Sequence, residues 1–130
     1  MNVSKNVEVL MKPLKLLLVE DSEFDAILLL REIEHGGYNV QSIRVETAEE
    51  MCQALDHQQW DIIISDYVMP QFSGLAALEL TKARGLDQPF IIVSGHIGEE
   101  IAVASMKAGA HDYVMKDRLA RLVQGIEGAS

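Results

Sequence analysis

Five polar positions in this 130-residue chain stand where short apolar runs stop. Glu20 and Asp21 follow Lys15 to Val19, Asp66 follows Asp61 to Ser65, Ser94 follows Pro89 to Val93, and Lys116 follows Asp112 to Met115. If these runs are parallel strands, all five groups converge on one rim of a sheet. Three carboxylates brought that close repel one another unless a cation shares them. Magnesium suits such an open rim, because it prefers oxygen ligands, keeps several waters and takes one or two carboxylates together with phosphate oxygens. An ammonium group and a hydroxyl are what the oxygens of a phosphoryl group on Asp66 would need. Any one of these acids alone reads as a helix N-cap, but a cap requires neither the serine nor the lysine.

Those positions need a scaffold. The runs Lys15–Glu20, Asp61–Asp66 and Pro89–Ser94 are continuous and apolar, as in strands buried on both faces, and Asp112–Lys116 is a weaker version. Val40 to Val45 alternates instead and predicts an edge strand. Helical patterns fall between the runs: Ala48, Met51, Cys52 and Leu55, then Leu119, Leu122, Val123 and Ile126, with further helices over roughly 23–35, 73–84 and 99–108. Thr47 and Glu50 form a capping box, and Gly36-Gly37 and Gly109 are helix stops. Strand and helix alternate five times, which predicts an α/β fold, a parallel sheet covered by helices on both faces. Residues 1–13 read as a flexible leader, with Met11 an alternative start, 14–127 as the domain, and 128–130 as a tail.

Composition narrows the function. Eleven Lys and Arg against 20 Asp and Glu give a formal charge of −9, which disfavours a nucleic-acid-binding surface. The single Cys52 cannot form an internal disulfide, and no apolar run approaches bilayer length, so a cytoplasmic domain away from membranes is expected. Cys52 reads as a small core residue and Trp60 as packing. His35, His57 and His111 have no zinc-ligand spacing.

The ordered set Leu18-Val19-Glu20-Asp21, Asp66-Tyr67-Val68-Met69-Pro70 with Gly74, Val93-Ser94-Gly95, Ala108-Gly109-Ala110 and Tyr113-Val114-Met115-Lys116 resembles the receiver domains of two-component response regulators. The resemblance runs from about Leu14 to Ile126. It implies a doubly wound (βα)5 sandwich of the CheY-like type with strand order 2-1-3-4-5. It further implies Asp66 as phosphoacceptor, with Glu20, Asp21, Asp66 and the backbone carbonyl of Val68 holding Mg2+, for which Mn2+ can substitute. Ser94 and Lys116 would contact the phosphoryl oxygens, and Tyr113 would change rotamer with phosphorylation. The implied partner is a histidine kinase or phosphotransfer protein, and the implied output surface is the fourth helix, fifth strand and fifth helix, through which such a domain signals or dimerises. The domain would be no enzyme beyond handling its own aspartyl phosphate. The wording Gly98-Glu99-Glu100 and Lys116 to Leu122 is similar to receivers of multidomain sensory proteins, which carry further sensor or output domains.

The family usually has proline after the lysine, whereas Lys116-Asp117-Arg118 stands here, so a trans loop with Asp117 as N-cap of the last helix is expected. Val68 and His96 occupy positions that tune phosphate lifetime in such domains, with His96 read as solvated. Two other functions compete. A phosphatase of the haloacid dehalogenase type needs a second acid two positions after its nucleophile, where this chain has Val68. A receiver-like interaction module that is never phosphorylated normally loses the acceptor, the acidic pair or the lysine, and all are present.

Overall fold

The computed structural model describes residues 11–95 and 98–129. Five parallel strands, β1 (Lys12–Val19), β2 (Tyr38–Val45), β3 (Ile62–Asp66), β4 (Phe90–Ser94) and β5 (Asp112–Met115), form one sheet in the order β2-β1-β3-β4-β5. Helices α1 (Glu23–His35), α2 (Ala48–His57), α3 (Gly74–Ala83) and α4 (Glu99–Lys107) connect them. A 3-10 segment, Lys116–Arg121, leads into α5 (Leu122–Ala129). The expected α/β doubly wound architecture and strand order are both present.

Alternation along the buried strands sends side chains into two separate cores. Leu16, Leu18, Ile62, Ile64, Ile91 and Val93 meet α1 and α5 through Ala26, Leu29, Ile33, Leu122 and Ile126. Leu17, Val19, Ile63, Phe90 and Ile92 meet α2 and α3 through Met51, Ala54, Ala77 and Leu78. Each fully buried Leu or Ile contributes roughly 1.5–3 kcal/mol, so the sheet behind the rim is the rigid part of the molecule. By contrast α4 buries only Ser105 among its described residues and leaves Val103 and Met106 nearly half exposed.

The structure departs from the sequence reading at several points. β1 starts at Lys12 and runs through Pro13, inside the stretch that the sequence predicts as a leader. Proline fits there because Lys12 N–H bonds Gly37 O on the β2 side, while β3 pairs with β1 only from Leu16 onward. The missing N–H of Pro13 thus falls where no neighbour strand has begun; residues 1–10 lie outside the described residues. Asp117 does not cap the last helix: Met115 takes the N-cap position of the 3-10 segment, and Asp117 lies in its first turn. Arg118, at φ −131° and ψ 46°, interrupts the segment, so Leu119 precedes the regular turns of α5 despite sharing their spacing. On α2 the buried positions are Met51 and Ala54, and Cys52 is half-buried rather than core. Trp60 is packing as expected, buried with its indole N–H donating to Ala54 O at 3.0 Å.

Candidate functional site

Register brings the site together. Val19 pairs with Ser65, so Glu20 emerges level with Asp66, and Asp66 pairs with Val93, so Ser94 follows on the far side. Ser94 in turn pairs with Met115, which places Lys116 just beyond. Backbone bonds carry the strands past their ends, with Glu20 N–H donating to Val45 O at 3.0 Å and Tyr67 N–H to Val93 O at 2.9 Å. Arg44 on β2 donates to Glu20 O at 3.0 Å and fixes the peptide joining the two acidic residues.

Gly74 lets α3 close on the rim. Its N–H donates to Tyr67 O at 2.9 Å, and a Cβ there would lie 2.6 Å from Asp66 O. No side chain larger than hydrogen fits without moving the backbone that carries Asp66.

Glu20, Asp21 and Asp66 each offer a carboxylate oxygen within 4.8 Å of the other two. Glu20 is wholly buried and Asp66 nearly so, while Asp21 is exposed. Lys116 reaches in from just beyond the last strand, its Nζ 2.7 Å from Asp25 Oδ2, 2.9 Å from Glu20 Oε1 and 3.2 Å from Asp66 Oδ2. Glu20 Oε1 is ion-paired at that distance but accepts no well-aligned hydrogen bond, so a buried carboxylate oxygen keeps unused acceptor capacity. Ser22 N–H donates to the other oxygen, Oε2, at 3.2 Å. Oxygen-only donors, an excess of negative charge and a buried oxygen with unused acceptor capacity fit a hard divalent cation such as magnesium.

Electrostatics reports the same crowding. Burial pushes the Glu20 carboxyl up from 4.5 to about 7; the nearby Lys116 ammonium and the Ser22 N–H oppose this, and the Asp66 charge adds to it. Burial alone would lower Lys116, but the hydrogen bond to Asp25 and the close negative charges of Glu20 and Asp66 hold it above the ordinary lysine range. The lysine therefore remains an ammonium at any physiological pH.

The remaining sequence-selected residues lie around this centre. Ser94 is buried at the end of β4. Tyr113 is partly buried on β5 against the α2 and α3 core. Val68 is exposed in the loop after Asp66, and His96 lies outside the described residues. Sequence reasoning missed Asp25, which makes the shortest contact to Lys116. An acidic residue in the first turn of a helix has an ordinary dipole explanation, and Ser22 Oγ does cap that turn by accepting from Asp25 N–H at 3.2 Å. Strand order supplies the missing signal: it lays α1 and α5 on one face, so the first turn of α1 comes to face the end of β5.

A family model, described as "Response regulator receiver domain", matches residues 16–127. Among curated relatives, the response regulator MprA of Mycobacterium sp. (strain KMS) is 29% identical over 107 residues, covering 80% of this chain and 44% of that protein. The C4-dicarboxylate transport transcriptional regulatory protein DctD of Rhizobium meliloti is 33% identical over 113 residues, 86% of this chain and 24% of its own length. The chain thus spans less than half the length of these relatives. Among solved structures, FixJ-N superposes with a TM-score of 0.76 at 27% identity, covering 92% of this chain and 94% of that one. A two-component response regulator of the LuxR family from Aurantimonas sp. SI85-9A1 gives 0.77 at 28% identity, covering 89% and 84%.

Proposed function

Because this chain belongs to the response regulator receiver domain family, we propose that it is a phosphorylatable switch in which Asp66 accepts a phosphoryl group from a histidine kinase or phosphotransfer protein. The observation that carries this reading is the meeting of Glu20, Asp21 and Asp66 within 4.8 Å, with the Lys116 ammonium among them. Glu20, Asp21, Asp66 and the backbone carbonyl of Val68 would hold Mg2+, or Mn2+ in its place. Bound there, the cation supplies neutralisation of charge on the transferring oxygens.

The chain's own groups do the rest. An Asp66 carboxylate oxygen attacks phosphorus in line; the bond from phosphorus to the donor nitrogen breaks, and the donor imidazole leaves with that electron pair and takes up a proton. Lys116 is already within 3.2 Å of Asp66 and meets the incoming phosphoryl oxygens as a fixed positive charge. The Ser94 hydroxyl donates to another of those oxygens and moves toward Asp66, and Tyr113 takes up the space released. Water later attacks phosphorus and restores the carboxylate, so the domain handles only its own aspartyl phosphate.

Output would pass through α4, β5 and α5, where the shallow seating of α4 and the exposure of Val103 and Met106 leave a surface that costs little to rearrange. That face would serve signalling partners or a second receiver. A cytoplasmic location suits the reading, and no described helix is long and apolar enough to cross a membrane. Like its longer relatives, the domain would work with further sensor or output domains, with no direct contact of its own to nucleic acid.

Intact mass after incubation with acetyl phosphate tests the reading. One phosphoryl adduct that requires Mg2+ and is absent in Asp66→Asn is the expected result. No adduct on rapid quenching, together with no binding of beryllofluoride, would make the domain an interaction module that is never phosphorylated.

A further inference from the structure

The phosphoryl group on Asp66 must compete for a lysine that is already held. Lys116 Nζ makes its shortest contact, 2.7 Å, with Asp25 Oδ2, and this is a well-formed hydrogen bond. Its approaches to Glu20 at 2.9 Å and Asp66 at 3.2 Å are longer. Asp25 stands apart from Glu20, Asp21 and Asp66, the one group of acids among the described residues close enough to share a cation. A divalent cation would therefore draw on Glu20 and Asp66 and leave the Lys116–Asp25 pair standing.

We propose that Asp25 is a positioning residue, a latch that holds Lys116 toward α1 in the resting state and must yield when Asp66 carries a phosphoryl group; the proposal rests on the phosphoacceptor reading above. A phosphorylated Asp66 presents about two negative charges in place of one, so the ammonium is drawn toward it and the Asp25 contact lengthens. Asp25 is more exposed than its rivals, its side chain 36% accessible against 10% for Asp66 and none for Glu20, so water can take over its charge when the lysine leaves. Releasing Asp66 or Glu20 instead would strand a buried charge, which costs more.

The latch also has something to release. The pair ties the first turn of α1 to the first residue of the 3-10 segment. Beside it lies a gap of about 30 Å³ lined by Leu28, Leu29 and Leu119, so apolar packing between α1 and the segment is incomplete where the ion pair bridges them. Two residues beyond the bridge, at Arg118, the backbone is still irregular. Loss of the Asp25 contact frees the segment that carries Lys116 into α5, and so links the acceptor to the last helix.

Calorimetric titration with Mg2+ alone, and then with beryllofluoride at saturating Mg2+, tests the latch on the wild type, Asp25→Asn and Asp25→Ala. Both substitutions should tighten beryllofluoride binding about three- to tenfold, because the lysine no longer has a charged competitor. Affinity for Mg2+ alone should not rise, since a negative charge near the cation has been removed. Mere structural damage would weaken both ligands, so tighter beryllofluoride binding without tighter Mg2+ binding is diagnostic, and Asp25→Glu should bring beryllofluoride affinity back toward the wild type. Equal or weaker beryllofluoride binding by the folded variants would overturn the latch while leaving the phosphoacceptor reading intact. Absence of beryllofluoride binding by the wild type would overturn both. A measurement without substitution decides if the variants do not fold: the Asp25 carboxylate carbon resonance should move on adding beryllofluoride to the Mg2+-bound protein, and a stationary resonance refutes the latch.

Discussion

Replacing Glu20 by glutamine should make the metal-free protein more stable and abolish its response to magnesium. Glu20 is wholly buried, and its carboxyl is raised from 4.5 to about 7, first by burial, against the pull of Lys116 and with the push of Asp66. A carboxyl with a higher value folded than unfolded leaves the folded state holding its proton more tightly. The associated stability is whole below 4.5 and is lost as pH rises through about 7. At about 1.4 kcal/mol per pH unit, that span amounts to about 3 kcal/mol lost by about pH 8. Glutamine has the same shape, never ionises and escapes this loss. Movement of Lys116 and entry of water will absorb part of the difference, leaving a gain of roughly 1–2 kcal/mol at about pH 8, or about 4–8 °C in Tm. Near pH 5 the wild-type carboxyl is mostly protonated, and the two proteins should melt within about 2 °C of each other. Thermal melts followed by circular dichroism in a chelating buffer at the two pH values measure this. Repeated with millimolar Mg2+, the wild type should rise as a ligand-bound state does while the variant stays put. A variant that melts at or below the wild type at the higher pH, or gains as much at the lower, would refute the strain assigned to Glu20.

Other substitutions probe the same rim from different sides. Gly74→Ala places a methyl group 2.6 Å from Asp66 O, so it should cost about 1–3 kcal/mol in urea unfolding and slow phosphorylation by acetyl phosphate. Lys116→Met leaves Glu20, Asp25 and Asp66 without their shared cation; metal-free stability at about pH 8 should fall by about 1–3 kcal/mol, with a smaller loss when Mg2+ is added. Ile63→Ala, in the core beneath the rim, should destabilise by about 2–5 kcal/mol yet leave Mg2+ affinity within about twofold when binding is measured on the folded protein.

The legibility of this molecule follows the range of the interactions that made it. Strands β3 and β4 could be read because burial on both faces leaves no room for polar residues, and Ile62, Ile63 and Ile64 are all inside. Glu20, Asp66 and Lys116 could be selected because the end of a parallel strand is a fixed address, independent of side-chain detail. Pro13 misled because a proline's effect depends on which side of its strand has a neighbour, and the offset of β3 from β1 is a tertiary fact. The last helix misled for a related reason. Leu119 and Leu122 share helical spacing and pack toward the same core, yet Arg118 breaks the turn between Lys116 and α5. Apolar periodicity records which side faces inward and is blind to how the backbone gets there.

Asp25 shows the limit most plainly, and it bears on what the fold is for. Strand ends, capping and charge each account for Glu20, Asp21 or Asp25 singly, whereas the cost appears only when Glu20, Asp25 and Asp66 gather around one ammonium with Asp21 close by. A sequence selected for stability alone would have placed an amide at Glu20 and spared the protein a buried ionisable group. The strained carboxylate is what the proposed divalent cation would relieve. On the proposed reading, crowding at the rim would hold the resting state poised: it would destabilise the metal-free protein, strengthen cation binding by the same interaction, and keep Lys116 occupied until a more negative group than Asp25 claims it.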